Sequence, residues 1–185
     1  MKEVVVVCIA GKAEAGKSLS ANILKDFLTH CGYDATIVPY AAHVKDTAKL
    51  LFGWDGKKDE TGRALLQQWG TNIVRAKEPL FWVETVARLV RLLPGIFDFI
   101  IIDDCRFPNE IEAWSGTPHI AIRVERPGHE NSLTEEQRNH PSETALDNWE
   151  YDFTISATDK EMLSLRLKTI VLPRLLRLIK GDNNV

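Results

Sequence analysis

Cysteine, surplus positive charge and long apolar runs are all scarce in this chain, and each scarcity removes a class of protein. The three cysteines, Cys8, Cys31 and Cys105, stand far apart, with no C-x-x-C pair and no histidine at zinc-ligand spacing. That argues against a disulfide framework or a structural zinc site, and leaves reduced thiols, with Cys8 in the first strand and Cys105 just after another as small buried groups. Lysine and arginine total 23 against 26 acidic residues, a net charge of −3. No global positive field exists to drive non-specific nucleic-acid binding, so basic residues must act locally. No apolar run approaches the ~20 residues of a membrane span. The N-terminal run leads into a glycine loop rather than a cleavage site. Internal repeats, low-complexity tracts and interdomain linkers are also missing. The expectation is a cytoplasmic protein with small-molecule partners, no nucleic acid and no membrane; a homodimer is compatible with it.

What is present begins at the first strand. With 185 residues the chain has the length of one α/β domain spanning 1–185, able to bury about 70% of its unfolded surface. Val4 to Ala10 is a β-branched run suited to a strand buried on both faces. It runs into Gly11-Lys12-Ala13-Glu14-Ala15-Gly16-Lys17-Ser18, a complete G-x-x-x-x-G-K-S loop, followed by a helix with Leu19, Ile23, Phe27 and Leu28 on one face. Strand, glycine loop and helix is the order a phosphate-binding loop requires. Backbone N–H groups over Gly11, Ala13, Ala15, Gly16, Lys17, Ser18 and Leu19 would wrap the phosphates of ATP, with the positive end of the helix behind them. Lys17 would reach the β- and γ-phosphates, and the Ser18 hydroxyl would sit on Mg²⁺.

Further along, Cys31-Gly32-Tyr33-Asp34 reads as a helix cap and turn, and Ala35 to Val38 as a short strand. Tyr40 to Phe52 is helical, Gly53 to Gly62 a polar surface loop, Arg63 to Arg75 helical again, and Phe81 to Leu93 a helix closed by Pro94-Gly95. Phe97 to Asp104 is a second buried strand, tipped by two carboxylates. Pro108 starts a short helix, His119 to Val124 is a strand, and Arg126 to Trp149 is a polar segment entered through Pro127-Gly128. Within it, Thr134 and Gln137 signal a short helix. Tyr151 to Ile155 is a last strand. Thr158 and Glu161 suggest a capping box for the C-terminal helix, which Pro173 should kink or break. Alternating strands and helices predict an α/β fold with a parallel sheet and right-handed crossovers. Ligands then bind beyond the carboxyl ends of the strands, which puts the loop at 11–18 and the carboxylates at 103–104 on one edge.

Asp103 and Asp104 occupy the place of the second acidic element of a P-loop protein, where a carboxylate can serve Mg²⁺. Arg63, Arg75, Arg106, Arg126 and Arg138 fall at element ends or in loops. A reaction between two phosphate-bearing molecules needs several such planar donors. Arg88, Arg91, Arg166, Arg174 and Arg177 lie within helices and read as solvated. Trp69 and Trp82 are either core aromatics or a wall on which a base stacks.

Four motifs occur in order: the G-x-x-x-x-G-K-S loop, Leu66-Gln67-x-Trp69-Gly70-Thr71-x-x-x-Arg75, Asp104-x-Arg106-Phe107-Pro108-Asn109-Glu110, and His140-Pro141-Ser142-Glu143. With them the chain resembles the phage-type deoxynucleoside monophosphate kinases, within the wider nucleoside monophosphate kinase group, over nearly its whole length. The resemblance implies a P-loop NTPase three-layer fold with a helical acceptor-binding insertion at about 40–93 and a lid at about 126–149. It implies ATP- and Mg²⁺-dependent transfer to a nucleoside monophosphate. Lys17, Arg106, Arg126 and Arg138 would then be catalytic, the last two from the lid. Lys45, Arg63, Trp69, Gly70, Thr71, Arg75, Trp82, Asp104 and Glu143 would bind the acceptor. The alternatives are a P-loop kinase of another small phosphorylated metabolite, such as phosphomevalonate, and a nucleotide-dependent switch. Against the switch, no Asn-Lys-x-Asp guanine-reading motif is present.

Overall fold

The computed structural model describes residues 4–93 and 95–181. β1 (Val5–Ala10) is the middle strand of a five-stranded parallel sheet in the order β2-β3-β1-β4-β5. Its neighbours are β3 (Phe99–Cys105) and β4 (His119–Glu125), while β2 (Ala35–Ile37) and β5 (Phe153–Ser156) form the edges. The register places Ala10 opposite Cys105, so the loop after β1 and the acidic tip of β3 emerge side by side. The sheet is the α/β fold that the alternation of elements predicts.

Strand pleating sorts the core into two layers. Val5, Val7, Ile9, Phe99 and Ile101 face α1 (Lys17–His30) and the C-terminal helices α8 (Lys160–Arg166) and α9 (Leu172–Leu178). Val6, Cys8, Ala10, Ile100 and Ile102 face the other way, onto Val83, Val86 and Val90 of α4 (Phe81–Val90), onto Ile111 and Trp114, and onto Leu146. The helical insertion between β2 and β3 consists of α2 (Ala41–Phe52), α3 (Glu60–Gln67), a π-helical stretch over Gln68–Arg75, and α4.

Several local expectations shift. The polar stretch 53–62 is not all loop: Asp59 caps α3 by accepting the Gly62 N–H at 2.8 Å, so the helix starts at Glu60. The C-terminal cap is Asp159, which accepts the Met162 N–H at 2.8 Å, while Thr158 only donates to the Asp159 carboxylate. Two adjacent residues can each cap, and the carboxylate wins the position. Pro173 sits in the first turn of α9, and the irregularity falls just before it as a π-helical stretch over Leu167–Val171. The helix expected to close at Pro94-Gly95 ends at Val90, and Pro94 lies outside the described residues. Beyond β4, the segment 126–149 carries α6 (Glu135–Asn139), with the expected Thr134/Gln137 capping box, and α7 (Pro141–Thr144), capped by the His140 side chain. No helix among the described residues is long and apolar enough to cross a membrane.

Candidate active site

The glycine loop takes the strained path that its sequence permits. Gly11 has φ 145°, and a Cβ there would lie 2.4 Å from the Val124 carbonyl oxygen of β4, so only glycine fits. Gly16, at φ 102°, turns the chain into α1. Lys17, only 9% exposed, folds back over the loop and donates to the carbonyls of Gly11 and Lys12, each at 2.7 Å. Burial draws its ammonium down to about 7, Arg106 adds to the effect, and Asp104 and Asp103 oppose it. A cation held this way is under-compensated, and an arriving phosphate would supply the missing negative charge. Ser18 and Leu19 are exposed on the first turn of α1.

The two carboxylates at the end of β3 have different occupations. Both oxygens of Asp104 accept backbone N–H groups at the start of α2, from Tyr40 and Ala41 at 2.8 Å each. Asp104 is therefore an anchor for the insertion, and its oxygens are already engaged, which counts against its expected place on a metal. Asp103 is half-buried, and its carboxylate makes no hydrogen bond or ion pair among the described residues.

Beside the loop lies a cavity of about 180 Å³. Its wall includes Lys45, Lys58, Arg63, Gly70, Thr71, Arg75, Trp82, Asp104, Arg106 and Glu143, with Tyr40, Leu66, Phe107 and Leu133 supplying apolar surface. Most of the residues expected at an acceptor site thus meet here, although they come from five separate stretches of chain. Gly70 is needed because a Cβ would come 2.9 Å from a Val44 methyl group of α2. Trp82 is buried and donates its indole N–H to the Gly70 carbonyl at 3.0 Å. Trp69 is outside this wall: it packs edge-on against Phe52 and donates to Thr47 Oγ1, which makes it part of the helical scaffold.

The arginines divide. Arg75 is stacked 4.1 Å over the Phe107 ring and paired with Glu110 at 2.5 Å, with Asn109 Oδ1 at 3.1 Å. Glu110 also accepts the N–H groups of Arg106 (2.6 Å) and Phe107 (3.1 Å). It thus shapes the turn after β3. Arg106 donates to the Ser142 carbonyl at 2.9 Å and pairs with Glu143. Glu143 in turn accepts the Ala13 N–H of the glycine loop at 2.9 Å, and Lys12 donates to the Glu143 carbonyl at 2.6 Å and to Asp147 at 2.5 Å. Arg126 is exposed and lines a second cavity of about 320 Å³ with Lys12, Ala13 and Ala15, on the loop's other flank. Arg138 is exposed and bonded to Asn131, and belongs to neither cavity.

Glu14 has a place at the site that the sequence does not mark. Glu14 is the only described non-glycine residue at positive φ, 63°. Its carboxylate gathers Ser132 Oγ (2.5 Å), the Ser132 N–H (3.2 Å), His129 (3.4 Å) and Arg63 (3.1 Å). One loop residue thus ties the segment 126–149 to the insertion. No motif marks it, because its partners lie about 50 and 115 residues away.

Glu110 carries a pH signature. Burial pushes its carboxyl from the usual 4.5 up to about 7, against the pull of Arg75 and of the two N–H donors. A group raised in the fold keeps a proton that the unfolded chain has released, so its contribution to stability is full below about 4.5 and is lost as pH rises to about 7. Wild type is therefore expected to lose stability relative to Glu110→Gln over that interval. Urea melts at pH 4.5, 5.5, 6.5 and 7.5 would show it, and a difference that does not change with pH would refute it.

The fold, a parallel sheet with a glycine loop after β1 and an insertion and an overhanging segment meeting above it, is shared with solved kinase structures. Among solved structures, APS kinase from Mycobacterium tuberculosis in complex with AMPPNP and APS superposes with a TM-score of 0.51 at 10% identity, over 96% of this chain and 99% of that one. A sugar kinase from Janibacter sp. superposes with a TM-score of 0.53 at 14% identity, over 94% and 98%. No family model and no curated protein sequence matches the chain.

Proposed function

We propose that this protein transfers the terminal phosphoryl group of ATP to a (deoxy)nucleoside 5′-monophosphate, giving the diphosphate. The observation that carries the reading is the cavity beside the phosphate loop. It brings Lys45, Lys58, Arg63, Arg75 and Arg106 together with the aromatic surface of Tyr40, Trp82 and Phe107. Such a wall suits a ligand with a phosphate at one end and a flat base at the other.

Phosphoryl transfer needs positioning and charge neutralisation more than covalent chemistry from the protein. Lys17 neutralises the triphosphate tail, the cationic wall of the cavity receives the acceptor phosphate, with Arg63 and Arg106 already braced by Glu14 and Glu143, and the segment 126–149 excludes water, which would otherwise accept the phosphoryl group. Mg²⁺ fits the donor set: an exposed Ser18 hydroxyl and an uncommitted Asp103 carboxylate are what an ion mostly ligated by phosphate and water requires. No group of three or more His, Cys, Asp or Glu side chains placed to hold a metal occurs among the described residues. When bound, it neutralises charge on the β- and γ-phosphates.

The test is incubation with ATP, Mg²⁺ and each common ribo- and deoxyribonucleoside monophosphate, scoring ADP and the new diphosphate. Because the structural neighbours are named for APS and for sugars, APS, simple sugars and phosphomevalonate belong in the panel. ATP consumption that is independent of every acceptor would overturn the reading.

The segment 126–149 should respond unevenly to ligands. Residues 140–149 are anchored, with Leu146 in the core and Glu143 on the glycine loop. Residues 126–139 are mostly exposed, and the Glu14 cluster is their main tie to the loop. ATP plus an accepted monophosphate is expected to slow amide exchange over 126–139 well beyond ATP alone, with little change over 140–149. Equal protection by ATP alone would mean this segment does not sense the acceptor.

A further inference from the structure

The stretch between α2 and α3 has more structure than its polar composition suggests, and it carries a cation with no hydrogen-bond or ion-pair partner among the described residues. Trp54, buried among charged neighbours, donates its indole N–H to the Lys57 carbonyl at 2.9 Å. Gly62 packs so tightly on that carbonyl that a Cβ would stand 2.1 Å from its oxygen. Lys57 is held by Asp55 at 3.0 Å, and the Lys58 carbonyl accepts Arg63 Nε at 2.9 Å. These contacts fix the backbone on both sides of Lys58, whose side chain lines the cavity at its exposed rim.

The charges around the cavity do not balance. Arg63 has Glu14, Arg75 has Glu110 and Arg106 has Glu143. Lys45 and Lys58 have no carboxylate and no hydrogen-bond partner for their ammonium groups among the described residues, although both line the same cavity. Burial, followed by the like charges of Lys45, Arg63 and Arg106, holds Lys58 below the ordinary lysine value, and Asp103 opposes this only weakly. Crowded cations with no internal counter-charge point to an anion from outside.

We propose that Lys58, with Lys45, forms an anion subsite at the mouth of the cavity that holds the phosphate of the acceptor. The phosphate-monoester class of acceptor rests on the phosphotransferase reading above; the subsite itself rests on the two unpaired lysines and the braced loop. It also separates acceptor classes. A kinase acting on a plain hydroxyl has no use for two unpaired cations beside the acceptor, whereas a monophosphate brings the dianion they lack.

The experiment is calorimetric titration of inorganic phosphate into protein whose glycine loop is already saturated with AMPPNP and Mg²⁺, using wild type, Lys58→Met and Lys58→Arg. Loss of a charge-assisted contact is expected to weaken phosphate at least ~10-fold in Lys58→Met. Lys58→Arg should keep most of the affinity, because it keeps the charge, and AMPPNP affinity should be the same in all three. A thermal melt of each variant separates binding from folding. Undiminished phosphate binding by Lys58→Met, no phosphate binding by wild type, or a parallel loss of AMPPNP affinity would each overturn the subsite. The two readings fail differently. If phosphate binding depends on Lys58 but no monophosphate is phosphorylated, the subsite stands and the phosphotransferase reading falls. If monophosphates are phosphorylated and Lys58→Met leaves phosphate affinity and acceptor KM unchanged, the reverse holds.

Discussion

Lys17→Met is expected to leave a folded protein whose phosphoryl transfer falls by at least ~10²-fold, the scale of losing one preorganised charge donor. The structure refines what else is lost. Lys17 Nζ donates to the Gly11 and Lys12 carbonyls, so it holds the loop in shape in addition to the role toward the triphosphate proposed for it. Methionine keeps the length of the buried stem but removes those two donors. The loop carbonyls are half-exposed and can turn to water, so the thermal midpoint should move little while kcat collapses. Steady-state rates together with a melting curve check both halves. Near-normal turnover would sink the assignment of this loop to catalysis. A large drop in melting temperature with a matching drop in rate would mean the lysine is chiefly structural.

The second large effect is on stability. Arg75 and Glu110 are a buried pair, their side chains 11% and 4% exposed, and Glu110 also carries the turn after β3. Arg75→Ala strands a buried carboxylate, a change that costs about 3–5 kcal/mol in comparable pairs. Glu110 stands at about 7 with Arg75 beside it and goes higher without it, so the loss should be larger at pH 8, where the wild-type pair is charged, than at pH 5.5, where Glu110 is protonated in both proteins. Replacing both residues, Arg75→Met with Glu110→Leu, should recover much of the loss, since no charge is then left unpaired. Urea unfolding of the three variants at the two pH values decides it. A cost below ~1 kcal/mol for Arg75→Ala, or one that is the same at both pH values, would contradict the arrangement. Arg75 thus acts first as a brace, and any contact with the acceptor would be made from a side chain already held by Glu110, Asn109 and the Phe107 ring.

The same contrast separates what was legible in the chain from what was not. The glycine loop could be read because its constraint is local: Gly11 and Gly16 are needed by the backbone itself, and the strand before and helix after them have unmistakable periodicity. Asp103 and Asp104 could be placed on the right edge but not told apart. Which one is free depends on where α2 begins, and only Asp104 lies under the Tyr40 and Ala41 N–H groups. Trp69 and Trp82 have equal claims in one dimension, and packing alone puts Trp82 on the cavity wall and Trp69 against Phe52. Thr158 and Asp159 compete for the same helix end, and propensity does not rank them.

By itself the sequence determined the order of strands and helices, the phosphate loop and the side of the sheet on which chemistry can occur. Those follow from short-range rules: pleat and helix periodicity, glycine conformations, and the direction of parallel strands. Tertiary structure alone decided which charges are spent and which are free. Glu14 engages Arg63, Glu110 engages Arg75 and Glu143 engages Arg106 across 35 to 49 residues of chain, while Lys45 and Lys58 find no carboxylate among the described residues. Charge pairing is a property of distance in space, and a linear pattern does not encode it until the fold has brought the partners together.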